Sequence, residues 1–254
     1  MHNAPANPST AISALPSVGP LLGAAYDRGV ATVIRSWRVV AILLVIECVI
    51  ASVPSVAQSN LGNLLIFSWA FYAMANAIRT VFDPDYRMNN RTAGEMFAAG
   101  FLIGITIVLV NVMVIVTLLR AALNDFTWVL AIPGIVVGFW LYARWLCGPA
   151  LGARGMPAIK ALRESWRLTS AAFWPTLVIP CANFIVSLAI GLVIGGGARL
   201  LLNVTPGSVA APITIVATVL VLASQLYASQ AAALSVCMWL KALQDTQPTE
   251  VPAT

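Results

Sequence analysis

The chain has 254 residues, of which 60% are hydrophobic and only 9% are charged, and its formal net charge is +5. Soluble domains contain about 25% charged residues, so this composition excludes an ordinary water-soluble fold. It predicts instead an all-α, polytopic membrane protein. The positive charge does not require nucleic acid as a partner, because Lys and Arg concentrate on the cytoplasmic side of membrane proteins.

The two ends of the chain are predicted to be disordered cytoplasmic tails. Residues 1–20 are rich in Ala, Pro, Ser and Asn. No positive charge precedes an apolar core there, so we expect no cleaved signal peptide. Residues 244–254 are the second predicted tail. A single six-helix transmembrane domain is expected between the tails, over residues 21–243.

Six apolar runs are long enough to cross about 30 Å of hydrocarbon, and we predict that they form three transmembrane hairpins. Arg144, near one end of the fourth run, is expected to snorkel to the interface. Between the second and third runs, Asp83-Pro84-Asp85 predicts a turn, and Thr92-Ala-Gly-Glu95 fits a capping box. The runs are approximately Val39–Val56, Leu61–Val81, Phe97–Leu119, Phe126–Gly148, Ala172–Leu201 and Ala211–Leu240.

The distribution of basic residues predicts the orientation of these hairpins. Of the 14 Lys and Arg residues, only Arg120 and Arg199 fall on the side opposite the two termini. Because short cytoplasmic loops carry an excess of Lys and Arg, both termini are predicted to be cytoplasmic.

The most polar helical pattern is Pro157–Thr169, directly before the fifth apolar run. A short helix with an apolar arc, a basic arc and a tryptophan is typical of a membrane interface. A solvated loop helix is the alternative. The apolar arc is Ile159, Leu162 and Trp166, and the basic arc is Lys160, Arg163 and Arg167.

An internal duplication is suggested by a similar segment, Tyr26–Arg38, which precedes the first apolar run. Ser36-Trp37-Arg38 matches Ser165-Trp166-Arg167, and the same shift places Val30 and Val33 on Ile159 and Leu162. Together with Asp83–Met96 before the middle hairpin, these segments predict a cytoplasmic lead-in element for each hairpin. The candidate lipid-headgroup contacts are Arg35, Arg38, Lys160, Arg163 and Arg167. The candidate interfacial anchors are Trp37, Trp166 and Trp174, with Trp239 in the same aromatic belt.

Glu47 lies near the middle of the first apolar run, where an ionisable side chain indicates a functional site by default. A protonated Glu47 that hydrogen-bonds a neighbouring helix is the alternative, and the duplication places Thr176 at the matching position. Asn111, Asn183 and Gln225 lie at comparable depth as possible partners. These three residues equally fit plain interhelical hydrogen bonding.

Signatures of enzymes and metal sites are absent from the sequence. The cysteines Cys48, Cys147, Cys181 and Cys237 contain no C-x-x-C pair, and the lone histidine is His2. Neither G-x-S-x-G, H-E-x-x-H nor a phosphate loop occurs. We therefore expect no catalytic residue, no metal and no cofactor.

One family resemblance follows from short motifs. Ala161-Leu-Arg-Glu-Ser-Trp-Arg-Leu-Thr169 with Phe173-Trp174, and Ile34-Arg-Ser-Trp-Arg38, resemble the membrane domain of glycerophosphoryl diester phosphodiesterases and the YciC-like bacterial inner-membrane proteins. The resemblance covers most of residues 24–242 and implies a bacterial inner membrane. Six spans leave no room for a phosphodiesterase barrel of about 250 residues, so that activity is not implied here.

Two functional hypotheses from different classes remain. The first is a non-enzymatic inner-membrane protein that engages anionic lipid and supports envelope lipid or protein organisation, with an unidentified membrane protein as a possible partner. The second is a small transporter or permease that uses Glu47 in a membrane cavity. Membrane-embedded catalysis is a third hypothesis, for which the sequence lacks a nucleophile–base pair and a metal set.

Overall fold

The computed structural model describes residues 15–52, 61–121, 131–204 and 207–246. Within these ranges the chain folds into helices joined by short connections, which confirms the all-α prediction. The helices are α1 (Val18–Arg35), α2 (Trp37–Ser52), α3 (Leu61–Val81), α4 (Asn90–Ala121), α5 (Ala131–Trp145), α6 (Gly148–Ala153), α7 (Ala158–Ser170), α8 (Phe173–Val204) and α9 (Gly207–Thr246).

Each predicted apolar run overlaps a helix, but fewer segments qualify as membrane spans. Among the described residues, Asn90–Val110, Phe173–Ile194 and Val219–Thr246 are long and apolar enough to cross a membrane. A fourth span is counted if α1 and α2, which bend by 75° at their junction, form one broken span. The chain is therefore a multi-pass helical membrane protein with three or four candidate spans.

The prediction of six spans is wrong for the described part of the chain, in which three or four segments qualify. The helix α2 has 16 residues and α5 has 15. Both helices border residues outside the described ranges, after Ser52 and before Ala131, and their described lengths are about 24 Å and about 22 Å at 1.5 Å per residue.

Apolar side chains on the outer surface agree with a lipid environment. Phe97 and Phe101 on α4 are exposed, as are Phe184, Ile185 and Leu188 on α8. Soluble proteins rarely expose contiguous apolar surface on this scale. The most apolar helices thus place their large side chains outward, where acyl chains surround them in a membrane.

Contacts divide the chain into two compact units, where the sequence predicted one domain over residues 21–243. Unit 1 consists of Met1–Val18, Tyr86–Pro180 and Val236–Thr254. Unit 2 consists of Gly19–Asp85 and Cys181–Ser235. Both α8 and α9 contribute one part of their length to each unit.

The helical boundaries also differ from the predicted tails. The helix α1 begins at Val18, inside the range 1–20 predicted as a tail. At the other end, α9 continues to Thr246, past the predicted domain end at residue 243. Residues 1–14 and 247–254, on which the rest of both tail predictions falls, lie outside the described part of the chain.

In unit 2, polar side chains fasten the helices to one another. The buried Trp69 Nε1–H donates to the Leu226 carbonyl at 2.8 Å, which ties α3 to α9. The Tyr72 hydroxyl donates to Ser36 Oγ at 3.0 Å, directly at the bend between α1 and α2. After α3, the Asp85 N–H donates to Asp83 Oδ1 at 3.0 Å, so the predicted turn is confirmed.

In unit 1, α4 packs against α5, α6 and α7. A cluster of Ala99, Ile103, Ala158 and Leu162 forms part of the core between α4 and α7. Small side chains in this cluster allow the helices to approach closely, and they leave little room for larger residues. The short helix α6 is held between its neighbours by the same close packing.

The cap of α4 lies three residues before the predicted one. The Thr92 N–H donates to Asn89 Oδ1 at 2.9 Å, and the Asn89 N–H donates to Thr92 Oγ1 at 3.0 Å. This reciprocal pair is the capping arrangement, with Asn89 in the role predicted for Thr92. Glu95, the predicted second member of the box, is consequently available for another helix.

The suggested duplication is not matched at the level of individual residues. In both halves a helix is followed by a break and then by an apolar helix. However, Ser36 lies in the break before α2, whereas Ser165 lies inside α7. The shared Ser-Trp-Arg sequence therefore occupies different structural positions, and the duplication stays a prediction.

Candidate functional site

Several helix ends of unit 1 meet in one region that is rich in basic residues. The Tyr86 hydroxyl donates to the Ala153 carbonyl, which joins the segment before α4 to α6. Arg154 Nη1 donates to Gln244 Oε1 at 3.0 Å, which joins the end of α6 to the end of α9. We call this region the basic end, and its Lys and Arg residues are Arg87, Arg91, Arg144, Arg154, Lys160, Arg163, Arg167 and Lys241.

Glu95 holds the N-terminus of α7 at the basic end. Its Oε2 accepts the Ala158 N–H at 2.7 Å. The N–H groups of a first helical turn have no partner within the helix, and a carboxylate there also interacts favourably with the helix dipole. Because Pro157 supplies no side-chain cap, a residue of α4 performs this role for α7.

The middle of α7 is fixed to the C-terminal end of α5. The buried Ser165 hydroxyl donates to the Arg144 carbonyl at 2.9 Å, and the buried Thr169 hydroxyl shares its proton between the Ser165 carbonyl at 2.8 Å and the Arg144 carbonyl at 3.0 Å. Ser165 Oγ also accepts the Cys147 N–H at 3.2 Å. Burial raises the pKa of the Cys147 thiol to about 12, so this cysteine stays neutral and unreactive in the joint.

The structure divides the surface of α7 differently from the predicted arcs. Lys160, Arg163 and Arg167 are exposed, but Ile159 is 70% exposed as well. Where α7 packs closely against neighbouring helices, small residues are favoured at the contact. The buried face of α7 is therefore shifted from the predicted Ile159–Leu162–Trp166 arc. The buried face consists of Ala158, Ala161, Leu162, Ser165, Leu168 and Thr169.

One of the exposed cations is already paired within α7. Arg167 Nε donates to Glu164 Oε2 at 2.9 Å, and its Nη2 donates to Glu164 Oε1 at 2.6 Å. This two-pronged hydrogen bond from Arg167 holds the pKa of the Glu164 carboxyl below its ordinary value, with help from Lys160. The basic face therefore carries an internal negative charge that the apolar and basic arcs did not predict.

Arg144 lies among aromatic rings at the end of α5. Its guanidinium carbon is 5.7 Å from the Trp140 ring centroid, 5.4 Å from that of Trp166 and 4.9 Å from that of Phe173. The Trp140 and Trp166 rings pack edge to face with centroids 5.1 Å apart. Each such cation–π contact contributes roughly 0.5–2 kcal/mol. We call Arg144, Trp140, Trp166 and Phe173 the aromatic cage.

The cage leaves hydrogen-bonding capacity of Arg144 unused. Nε and Nη1 are buried and have no hydrogen-bond partner within the described chain. Arginine stays charged in proteins and presents only donors, so each unpaired buried N–H has a desolvation cost. The rings stabilise the positive charge but accept no conventional hydrogen bond, so the cage is electrostatically incomplete.

The predicted interfacial anchors have three different environments. Trp37 is 61% exposed, with the Arg38 guanidinium 5.7 Å from its ring centroid, and Trp174 is 73% exposed. Trp166 is half-buried in the aromatic cage. Trp239, by contrast, is fully buried and its Nε1–H donates to Thr176 Oγ1 at 2.9 Å, so it does not belong to an outer belt.

Of the predicted intramembrane polar residues, Asn183 has a defined network in unit 2. Its Oδ1 accepts the Tyr26 hydroxyl at 2.9 Å, and its Nδ2 donates to Ser235 Oγ at 3.1 Å. This is the interhelical hydrogen bonding that the sequence allowed as an alternative. Gln225 is exposed. The side chains of Glu47 and Asn111 lie outside the described part of the chain.

The predicted headgroup contacts on the N-terminal side are accessible. Arg35 ends α1 and Arg38 lies in the first turn of α2, and both are exposed. Both residues belong to unit 2, whereas the basic end belongs to unit 1. Within the described residues, no group of three or more His, Cys, Asp or Glu side chains is arranged to hold a metal ion.

The sequence did not predict the roles of three residues in this region, Trp140, Arg144 and Glu95, although Arg144 was expected to snorkel and Glu95 to belong to a capping box. Trp140 and Arg144 are four residues apart on α5, a spacing that places side chains on one helix face and was readable in advance. The cap that Glu95 provides for α7 could not be predicted from the sequence, because Glu95 and Ala158 lie 63 positions apart.

Comparisons with known proteins do not add a family to these observations. No protein-family model, no curated protein and no solved structure matches the chain. The resemblance to the membrane domain of glycerophosphoryl diester phosphodiesterases therefore stays a prediction from short motifs, and the residues of the basic end must carry the functional argument.

Proposed function

We propose that this chain is a non-enzymatic protein of a bacterial inner membrane whose basic end engages anionic lipid and supports lipid or protein organisation in the envelope. The observation that carries the proposal is α7, an amphipathic helix held rigidly on the bundle with Lys160, Arg163 and Arg167 exposed. A basic helix at an anionic leaflet is attracted by about 1 kcal/mol per cation.

The surroundings of α7 support a position at the membrane interface. Ile159 and Trp166 lie beside the basic face, and the first turn of α8 exposes Trp174. Tryptophan rings of this kind sit at headgroup level, with one part in an apolar and one in a wet environment. Cations and aromatic rings at the same end of one unit fit a surface that contacts both phosphates and upper acyl chains.

The rigidity of α7 distinguishes this surface from a mobile basic loop. The Glu95 cap and the bonds from Ser165 and Thr169 to the Arg144 carbonyl hold both the start and the middle of the helix. Less conformational entropy is then lost when lipids bind, because the side chains project from a fixed backbone.

The test is a triple variant, Lys160→Gln, Arg163→Gln and Arg167→Gln, in the full chain. We expect its retention of anionic phospholipid after mild detergent extraction to fall by up to about 3 kcal/mol, at about 1 kcal/mol for each cation. The measurement is quantitative mass spectrometry of co-purified lipids, together with the thermal midpoint of unfolding.

The matched control preserves the charges, with Lys160→Arg, Arg163→Lys and Arg167→Lys. If retention is electrostatic, this control keeps most of the anionic lipid, and added salt weakens retention by the parent protein. Equal lipid retention in the parent and the glutamine variant would refute the proposed function of the basic face.

A further inference from the structure

The aromatic cage combines a permanent charge with unused donors. Arg144 Nε and Nη1 are buried without a hydrogen-bond partner, and three rings surround the guanidinium group. The guanidinium cannot lose its proton in a protein, so desolvation cannot neutralise it. An anion is the chemical group that would neutralise the charge of Arg144 and accept hydrogen bonds from its unpaired N–H groups.

The nearby carboxylates of unit 1 are engaged elsewhere. Glu95 accepts the Ala158 N–H, and Glu164 is paired with Arg167. Within the described chain, Arg144 has no salt bridge to an acidic side chain. Arg144 as a whole residue is half-buried, and Nε and Nη1 are its buried unpartnered nitrogens, whereas Nη2 is not one of them. The missing counter-charge can therefore come from a ligand.

Geometry indicates which anion fits. A guanidinium group donates parallel N–H groups in a planar fork, which matches the oxygens of a phosphate. Arg163 is exposed and lies three residues before Trp166 on α7, so a second cation flanks the cage. Phe173 of the cage begins α8, and the same helix then exposes Trp174 and Val178, an apolar surface that suits an acyl chain.

We propose that the aromatic cage is a phosphate-binding site in which Arg144, flanked by Arg163, binds the phosphate oxyanion of one phospholipid headgroup. The proposal deepens the proposed function, on which it rests, by assigning one bound lipid to a defined site rather than to diffuse attraction. The exposed apolar surface after Phe173 favours a lipid over free phosphate, which shares the same oxyanion chemistry.

The experiment titrates the purified full chain in an uncharged detergent with short-chain phosphatidylglycerol and, in a parallel arm, with inorganic phosphate. The readout is tryptophan fluorescence, because Trp140 and Trp166 line the site. We expect saturable binding of the lipid, weakened about tenfold or more in Arg144→Gln, as for loss of a charge-assisted hydrogen bond. Saturation by inorganic phosphate at a similar concentration would assign the site to the free ion instead of the lipid and overturn the lipid proposal.

Two further variants keep the test decisive. Arg144→Lys keeps the charge but loses the planar fork, so intermediate binding is expected even if Arg144→Gln folds poorly. Arg28→Gln removes one exposed charge from α1 in unit 2 and is expected to bind like the parent. Parental affinity in both folded Arg144 variants would overturn the site and leave the cage as a packing motif.

The two proposals fail in different ways. If only the lipid-phosphate site is wrong, the Arg144 variants bind like the parent, while the triple glutamine variant of α7 still loses bulk anionic lipid. If only the proposed function is wrong, the triple variant retains bulk lipid, while Arg144→Gln still loses the saturable fluorescence change.

Discussion

At the residue scale, Glu164 controls the charge of the basic face. Its carboxylate pairs with Arg167, and that hydrogen bond keeps its pKa below the ordinary value. A folded-state pKa that is lowered means that the pair stabilises the fold above the unfolded pKa. This stabilisation is lost as the pH falls through the folded pKa. Because the Arg167 side chain is 51% exposed and the Glu164 side chain 26% exposed, solvent screens the pair and its contribution to stability is small.

We therefore predict that Glu164→Gln increases anionic-lipid retention and leaves the thermal midpoint of unfolding nearly unchanged. Removing the carboxylate takes away the Glu164 partner of Arg167 and adds one net positive charge to the face, an effect of about 1 kcal/mol at an anionic leaflet. Lipid co-purification from the variant and the parent at neutral pH measures it. A variant that retains less lipid than the parent would show that the pair positions Arg167 for the contact.

At the element scale, the short helix α6 depends on one glycine. A Cβ added at Gly152 would lie 2.8 Å from the Glu95 carbonyl oxygen and 3.0 Å from the Glu95 carbonyl carbon, both backbone atoms of α4. At Gly148 the obstacle is the Leu162 side chain, which has rotamer freedom to move. Gly152 therefore fixes the distance between α6 and α4, and through Glu95 it also affects the cap of α7.

We predict that Gly152→Ala destabilises the protein by about 1–3 kcal/mol, the usual cost of overpacking a tight contact. The matched control is Gly100→Ala on α4, where nothing lies within 4 Å of the added methyl group. The control is expected to be neutral or stabilising, since alanine favours a helix over glycine. Thermal unfolding in detergent distinguishes them, and equal midpoints for the two variants would contradict the close α6–α4 contact.

At the scale of the whole molecule, the basic end indicates how the protein is oriented in the membrane. The hydrogen bond between Arg154 and Gln244 places the C-terminal end of α9 beside the basic helices of unit 1. The excess of Lys and Arg marks the cytoplasmic side of a membrane protein. Both termini can share that side only with an even number of crossings, and among the described residues the count of four candidate spans is even whereas the count of three is odd.

We accordingly predict a cytoplasmic C-terminus and a cytoplasmic N-terminus, with α1 and α2 together completing one crossing. Reporter fusions after Thr254 and before Met1, one type active in the cytoplasm and one in the periplasm, measure this directly. Activity of the periplasmic reporter at the C-terminus would rule out the orientation drawn from the basic end.

Local patterns in the sequence determined the class of protein and where its helices lie. Apolar runs predicted the membrane helices because hydrocarbon forces the backbone to satisfy its hydrogen bonds internally. The Asp83–Asp85 turn and the exposed cations of α7 were also readable, since they depend on neighbours within a few residues. The number of candidate spans among the described residues was not readable, because the 75° bend between α1 and α2 decides whether those two helices count as one span.

Only the tertiary structure decided how the candidate site is built. Sequence periodicity showed that α7 has two faces, but contacts with α4, α5 and α6 selected the small-residue face for burial. The Glu95 cap on Ala158 and the rings of Trp166 and Phe173 around Arg144 join residues from separate helices. Contacts between residues far apart in the sequence leave no periodic pattern in the chain. The interaction of a charge or a ring with such a distant partner forms only when the helices pack together.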